Sequence, residues 1–254
     1  MRSSRLFALV LAASLILASQ AEAAITLLGS AQAQTGNGNT AVTTASQDTT
    51  GATLLVAVCF RDTGGTTAMS DSKSNTWAQA VITPSATGVA GVRADVQYVK
   101  NPSSVGSGHT FTCGGTASFA SIVVLWFSGT DTSANVDQTN SNNGGAPPVT
   151  SITTGSATPS ANNEAVIVVL GADDNEASFS LSTCTGCSID QQHATAAGTA
   201  YGFAVGHVIQ TTAAAVNATW TPSSSDGSGM SAGIATFKAA GAAPAVIRHR
   251  ATTN

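Results

Sequence analysis

Residues 54–62 read LLVAVCFRD, and residues 166–174 read VIVVLGADD. In the first stretch Leu54, Val56, Val58 and Phe60 fall on one side of an extended chain, with Leu55, Ala57 and Cys59 on the other. A strand apolar on both sides is one covered on both faces. VRADVQYVKN (92–101) alternates instead, setting Val92, Ala94 and Val96 against Arg93, Asp95 and Gln97, as a half-exposed strand does. ASIVVLWFSG, EAVIVVLGADD, YGFAVGHVIQ, NATWTP and SAGIATFK continue the series, each bounded by Gly, Pro, Asn or Ser. No stretch beyond the N-terminal leader carries a capped 3.6-residue period, so the expected fold class is all-β, an antiparallel β-sandwich.

The two opening stretches match at an offset of 112 residues, Tyr98 matches His207 at 109, and Phe127 matches Phe237 at 110. Tyr98 and Phe111 are thirteen residues apart, as are His207 and Trp220. The chain therefore reads as two repeated halves, about 50–130 and 160–238, each of four or five strands. A small unit buries a smaller share of its surface than a large one, and the connection between the halves contains VTSIT (149–153), itself strand-like. One sandwich over 24–238 with a shared core is expected.

The ends are of another kind. MRSSRLFALVLAASLILASQAEAA opens with Arg2 and Arg5, runs apolar from Leu6 to Ala18 and closes on Ala21-Glu22-Ala23. That is the pattern of a secretory signal peptide, residues 1–23, with an apolar run short of the roughly 20 residues a spanning helix needs. Export to the extracellular space, or to a periplasm, follows as the expectation, with no membrane span after cleavage. Residues 239–254, AAGAAPAVIRHRATTN, are expected to form a disordered Ala/Pro-rich tail. Without the leader, seven basic side chains face twelve acidic ones, a net charge of −5, and the basic residues are scattered. Nucleic acid, which demands a basic patch, is excluded as an expected partner.

The succession GATLLVAVCFRD, SDSKSNTWAQA, VQYVKN, HTFTCGG, IVVLWFSGTDTSANVD and NEAVIVVLGA resembles a group of exported bacterial β-sandwich modules of jelly-roll type, mostly uncharacterised, with relatives in surface and phage tail-associated proteins. The resemblance covers about Ile25 to Lys238 and implies fold and export; it carries no catalytic residues. The second half departs from the pattern where Asn75-Thr76-Trp77 would recur, since LSTCTGCSIDQQ stands there.

Four cysteines in an exported chain point to disulfides. Cys59 aligns with Gly171 and Cys113 with Pro222, so both lack counterparts and read as acquired together, which pairs Cys59 with Cys113 and Cys184 with Cys187. For CTGC the alternatives are free thiols, redox chemistry, which wants a helix N-terminus that SIDQQHATAAGTA does not supply, and zinc, which wants two further ligands, His193 being one candidate.

Candidate chemistry is sparse. His109, His193 and His207 accompany many serines, but no GxSxG elbow selects a nucleophile. His207 alternates with Phe203 and Val205, which puts it on an apolar face. Glycoside hydrolysis needs facing carboxylates, and beyond the leader the glutamates are Glu164 and Glu176. Asp173, Asp174 and Glu176 form the densest acidic run; a solvated loop is the expectation and structural calcium the alternative, because the EF-hand spacing is missing. No other cofactor is expected. Carbohydrate modules stack sugars on exposed aromatics. Trp126 reads as core and Trp220 as a repeat of Phe111, which leaves Trp77 beside Asn75, and Tyr201, as ligand-binding candidates. The expected function is a non-enzymatic structural or adhesive surface module, with carbohydrate binding as the alternative and a secreted hydrolase third. Its partner would be a polysaccharide or a surface protein.

Overall fold

The computed structural model describes residues 24–35, 41–62, 66–84, 92–116, 119–133, 136–144, 148–173, 178–194, 201–223 and 229–241. Residues 1–23, expected as a leader, and 242–254, most of the expected tail, lie outside the described residues. Sixteen strands are described: β1 (Thr26–Gln34), β2 (Val42–Thr43), β3 (Leu54–Asp62), β4 (Thr66–Asp71), β5 (Ala78–Ile82), β6 (Val92–Lys100), β7 (Phe111–Thr116) and β8 (Ala120–Ser128) in the first half. The second half holds β9 (Thr139–Asn143), β10 (Ile152–Thr153), β11 (Glu164–Ala172), β12 (Phe179–Ser182), β13 (Ser188–Ala194), β14 (Gly202–Gln210), β15 (Thr219–Pro222) and β16 (Met230–Phe237). No helix occurs among the described residues, so none is long and apolar enough to cross a membrane.

The first half forms a five-stranded sheet ordered β1-β8-β3-β6-β5 and a three-stranded sheet ordered β2-β7-β4. Adding eight to each label gives the two sheets of the second half, β9-β16-β11-β14-β13 and β10-β15-β12. All pairings are antiparallel, and each half has the eight-strand, two-sheet order of a jelly roll. Each half thus has eight strands, not the four or five expected. The additional ones are short or polar: β9 reads TNSNN, and β1 is largely half-exposed.

Three buried clusters show how the sheets stack. Leu54, Val56, Val58 and Phe60 join Ala165, Ile167, Val169, Phe203 and Val205 in a central core between the two five-stranded sheets. Leu55, Ala57 and Cys59 face the other way, onto Val42, Phe111 and Cys113 of the first small sheet. Val166, Val168 and Leu170 do the same against Phe179 and Trp220 of the second. The result is four layers of three, five, five and three strands. Both central strands are covered on both faces, which is why both read as apolar throughout. A cluster drawing on both halves is thus flanked by a cluster inside each half.

The register between halves corrects the sequence alignment. Val56 pairs with Tyr98 as Ile167 pairs with His207, and Leu54 pairs with Phe127 as Ala165 pairs with Phe237. The offset over this strand is therefore 111, one less than the sequence match. A one-residue slip exchanges the two faces of a strand, so the counterpart of Cys59 is Leu170, not Gly171. On the small sheets Thr44 exchanges bonds with Phe111 as Thr154 does with Ala218. Two steps on, Trp220 stands where the first half has Cys113, rather than matching Phe111.

Contacts across the central core reciprocate between the halves. Tyr98 lies 5.4 Å from Phe237, and its counterpart His207 lies 5.7 Å from Phe127, centroid to centroid. Thr83 donates to Ser231 Oγ at 3.0 Å, while His193 Nε2 meets Ser121 Oγ at 2.7 Å. Such exchange of equivalent surfaces is how a two-fold interface is built. Large meets large where Phe60 and Phe203 lie 4.6 Å apart. At the position equivalent to Phe60, Gly171 leaves room for Val92, whose Cγ1 would stand 2.6 Å from an added Cβ. The chain also stays paired beyond Lys238, since Ala239 bridges Thr130 and Ala240 N–H donates to Gly129 O at 2.8 Å.

Candidate functional site

Asp71 ends β4 and organises the turn that carries Asn75 and Trp77. Its Oδ1 accepts the Lys73 N–H at 2.8 Å and the Asn75 N–H at 3.3 Å, with Ser74 in the left-handed region at φ 59°. An Asp side chain bonding the backbone two residues on is the usual way such a turn is fixed. Oδ2 accepts Trp77 Nε1–H at 2.8 Å, and the Trp77 ring meets Phe111 edge-on at 6.1 Å. Buried Asn75 donates to Ser104 O at 2.9 Å and accepts the Ser104 N–H at 3.2 Å, tying the 103–104 loop to the turn. Both the amide and the indole N–H are thus engaged internally.

His109 closes this network. Its Nε2 stands 3.3 Å from Asp71 Oδ1, a charge contact not aligned as a hydrogen bond, with both side chains fully buried. Gly106 N–H donates to Thr49 Oγ1 at 3.1 Å, and Thr49 Oγ1 lies 2.8 Å from His109 Nδ1. In a relay Gly106→Thr49→His109 the remaining ring proton points toward Asp71, leaving Nε2 with a charge contact and no hydrogen bond. Burial holds His109 below its ordinary range against the pull of Asp71. Thr, His and Asp in sequence imitate a hydrolase relay, but Thr49 and His109 are 0% exposed and no substrate reaches them.

Tyr201 is elsewhere. Its ring stacks on Phe119 at 4.0 Å against the central core, whereas Trp77 packs on the outer core of the first half. The two candidate sugar platforms are not brought together. Cys59 and Cys113 form a disulfide between the two sheets of the first half, Cα to Cα 5.8 Å. Cys184 and Cys187 are also bonded, Cα to Cα 5.5 Å, while His193 turns to Ser121 and is not their partner. Asp173 is described and engaged; Asp174 and Glu176 lie outside the described residues. Among the described residues no three His, Cys, Asp or Glu side chains gather as a metal site.

The disulfide-closed loop walls a groove of about 560 Å³ with the end of β14 and the segment after it, lined by Thr183, Thr185, Ser188, Gln210, Thr212 and Val216 among others. Hydroxyls and small apolar groups dominate; His207 is among the lining residues, and no Phe, Tyr or Trp is. At one flank a β-bulge between Ile189 and Gln191 re-aims Asp190, whose carboxylate oxygens lie 2.9 and 2.8 Å from His207 Nδ1. The same bulge recurs in β5 between Gln79 and Val81, with Ala80 in place of Asp190. His207 is on the central face, as its alternation with Phe203 and Val205 implies.

No family model, curated protein or solved structure matches the chain. The site is therefore argued from its own geometry.

Two charged groups, Arg61 and Asp95, are buried, the second although the alternation of β6 sets it on the side expected to be half-exposed. Arg61 is 0% exposed and donates from Nη2 to Gly114 O and to Cys113 Sγ, the latter at 3.2 Å. Asp95, across β6, accepts Gln97 Nε2–H at 3.0 Å, and burial raises its carboxyl above the usual range. The counterparts in the second half, by strand register, are Ala172 and Ala204. These charges support the disulfide end of the first half and face no opening among the described residues.

His193 gives this region a pH response. Its Nδ1 is buried without a bonding partner, and burial lowers its pKa from 6.5 to about 4. The unfolded chain therefore takes up the proton first, and stability falls as pH drops from about 6.5 to about 4, by up to about 3 kcal/mol. Unfolding midpoints across that window should slope more steeply for the parent than for His193→Gln. Superimposable slopes would contradict the assignment.

Proposed function

We propose that the chain is an exported, non-enzymatic structural or adhesive β-sandwich module of the cell surface or extracellular space. The observation that carries this reading is that His109 is fully buried, His193 turns its Nε2 to Ser121 with Nδ1 in buried space, and His207 Nδ1 is held by Asp190. The outer faces of the small sheets add support: Thr43 and Thr112 bond each other at 2.8 Å, as do Thr183 and Thr219, so these faces are paved with hydroxyls rather than charges. Such surfaces suit contact with polysaccharide or with a neighbouring surface protein. The order of sequence segments supports placing the chain among exported jelly-roll modules of bacterial surfaces and phage tails.

Carbohydrate binding is the second reading, favoured by the hydroxyl-lined groove beside Cys184–Cys187. The test is a glycan array and insoluble-polysaccharide pull-down with the exported chain, beside an adhesion assay of cells with and without it. The structural or adhesive reading expects lower adhesion without the protein and unchanged pull-down in Thr212→Trp and Trp77→Ala. Polysaccharide capture that Thr212→Trp abolishes would move the assignment to the groove, and capture lost in Trp77→Ala to the first half. Turnover of a glycoside or ester would overturn both.

A further inference from the structure

One cluster of reactive side chains in the second half has no role above. Glu164 opens β11, Lys238 follows β16 and Asp137 precedes β9, and the order β11-β16-β9 sets them side by side. Continuing the β11/β16 register past Ala165 and Phe237 puts Glu164 opposite Lys238. On the other side the Asp137 N–H donates to Thr236 O at 2.8 Å. Lys238 Nζ then stands 3.0 Å from Asp137 Oδ1. Ser160 fixes that carboxylate, donating its N–H to Oδ2 at 2.8 Å and its hydroxyl to Oδ1 at 2.7 Å.

Glu164 is 0% exposed; its Oε1 accepts the Ala161 N–H at 2.9 Å and its buried Oε2 has no donor. The neighbouring carboxyl is that of Asp137. Burial raises Glu164 above the usual range; the Thr236 hydroxyl and the Ala161 N–H oppose this, and the Asp137 charge adds to it. For Asp137 burial pulls upward too, but the bonds from Ser160 and Lys238 outweigh it and hold the group low. A carboxylate held low, the lysine ammonium that Asp137 stabilises and a buried carboxyl raised above the usual range therefore share one place.

We propose that Lys238 and Asp137 condense into an intramolecular amide, with Glu164 carrying the protons. The Lys238 nitrogen, once it has given up a proton, attacks Asp137 Cγ. One C–N bond forms, one C–O bond breaks, and the departing oxygen leaves as water. The two protons lost by the nitrogen end on that oxygen, relayed through Glu164, which finishes as it began. Carboxylate plus ammonium become amide plus water, with no oxidant, metal or co-reactant. Asp137 is 6% exposed, which keeps bulk water from the product, while the 35% exposed flank of Lys238 lets the released water out.

The placement gives the bond a purpose. β9 is the first strand of the second half and β16 the last, so the amide would close the whole of 137–238 into one covalent loop. The first half has a Cys59–Cys113 staple that the second lacks, and at the site equivalent to Glu164 it has Thr53, bonded to Thr130 Oγ1 at 2.7 Å. Each half would then hold one long-range covalent tie.

Mass spectrometry of the full exported chain, reduced and denatured, tests this. The expected parent is lighter than its sequence by one water, resists trypsin after Lys238, and yields a single fused peptide containing Asp137 and Lys238. Lys238→Arg and Glu164→Gln should both return to full mass. A parent at full mass, or one lighter by a water but with the two peptides unlinked, as an aspartyl succinimide would give, overturns the proposal. A fused peptide persisting in Glu164→Gln overturns the role of Glu164. The parent measurement stands even where a variant fails to fold, and it is independent of what the module adheres to.

Discussion

The paired substitution Cys59→Ala/Cys113→Ala is expected to lower unfolding free energy by about 4 kcal/mol. The bond closes a sequence separation of 54 residues, and restricting a loop of that length in the unfolded chain accounts for most of the effect. It joins β3 to β7 across the outer core, where Cys59 is 1% and Cys113 0% exposed, so a small reductant meets it only after opening. Cys184–Cys187 closes a separation of three, and its removal should cost less than about 2 kcal/mol. A loss of 4 kcal/mol is a large share of a domain's net stability. Denaturant titration of the two double variants checks the ranking. A Cys59/Cys113 variant within experimental error of the parent would contradict it.

Phe203→Ala is expected to cost about 3–5 kcal/mol and to weaken both halves together. Phe203 belongs to β14, yet Phe60 at 4.6 Å and Phe119 at 5.9 Å are rings of the first half. Removing its ring leaves a cavity in the central core that neither half can fill alone. One transition, shifted as a whole, is the predicted denaturation profile. Two separated transitions, only the later strands being weakened, would contradict it.

The long strands were legible because burial on both faces leaves unbroken apolar runs, as in LLVAVCF and EAVIVVLGA. β9 was not, since TNSNN at a sheet edge buries nothing that periodicity can register. The slip from 111 to 112 was not visible in the closing acidic residues, because Asp62 meets Asp173 at the first offset and Asp174 at the second. The Phe111 to Trp220 match failed for a related reason: the connection from β14 to β15 is two residues shorter than its counterpart, so an aromatic arrived at the cysteine's place. The Cys59–Cys113 pairing survived these errors because Leu170 and Trp220, the true counterparts, are not cysteines either.

The polar clusters were hidden by distance along the chain. Thr49, Asp71 and His109 meet only through the strand order of the first half. Asp190 reaches His207 only through a bulge. Glu164, Asp137 and Lys238 are neighbours because β16 lies between β11 and β9. Trp77 stands out in the sequence as unrepeated, but its N–H is taken by Asp71, a partner six residues away that alternation alone does not select.

The central claim is that the two jelly rolls form one stack about a common core. Native-state hydrogen exchange of the amides in Leu54–Phe60 and Val166–Ala172 tests it most directly. Equal opening free energies for the two strands, falling together in Phe203→Ala, are the result expected of one cooperative stack. Opening of Val166–Ala172 at lower free energy while Leu54–Phe60 stays protected, with Phe203→Ala felt on one side alone, would contradict it.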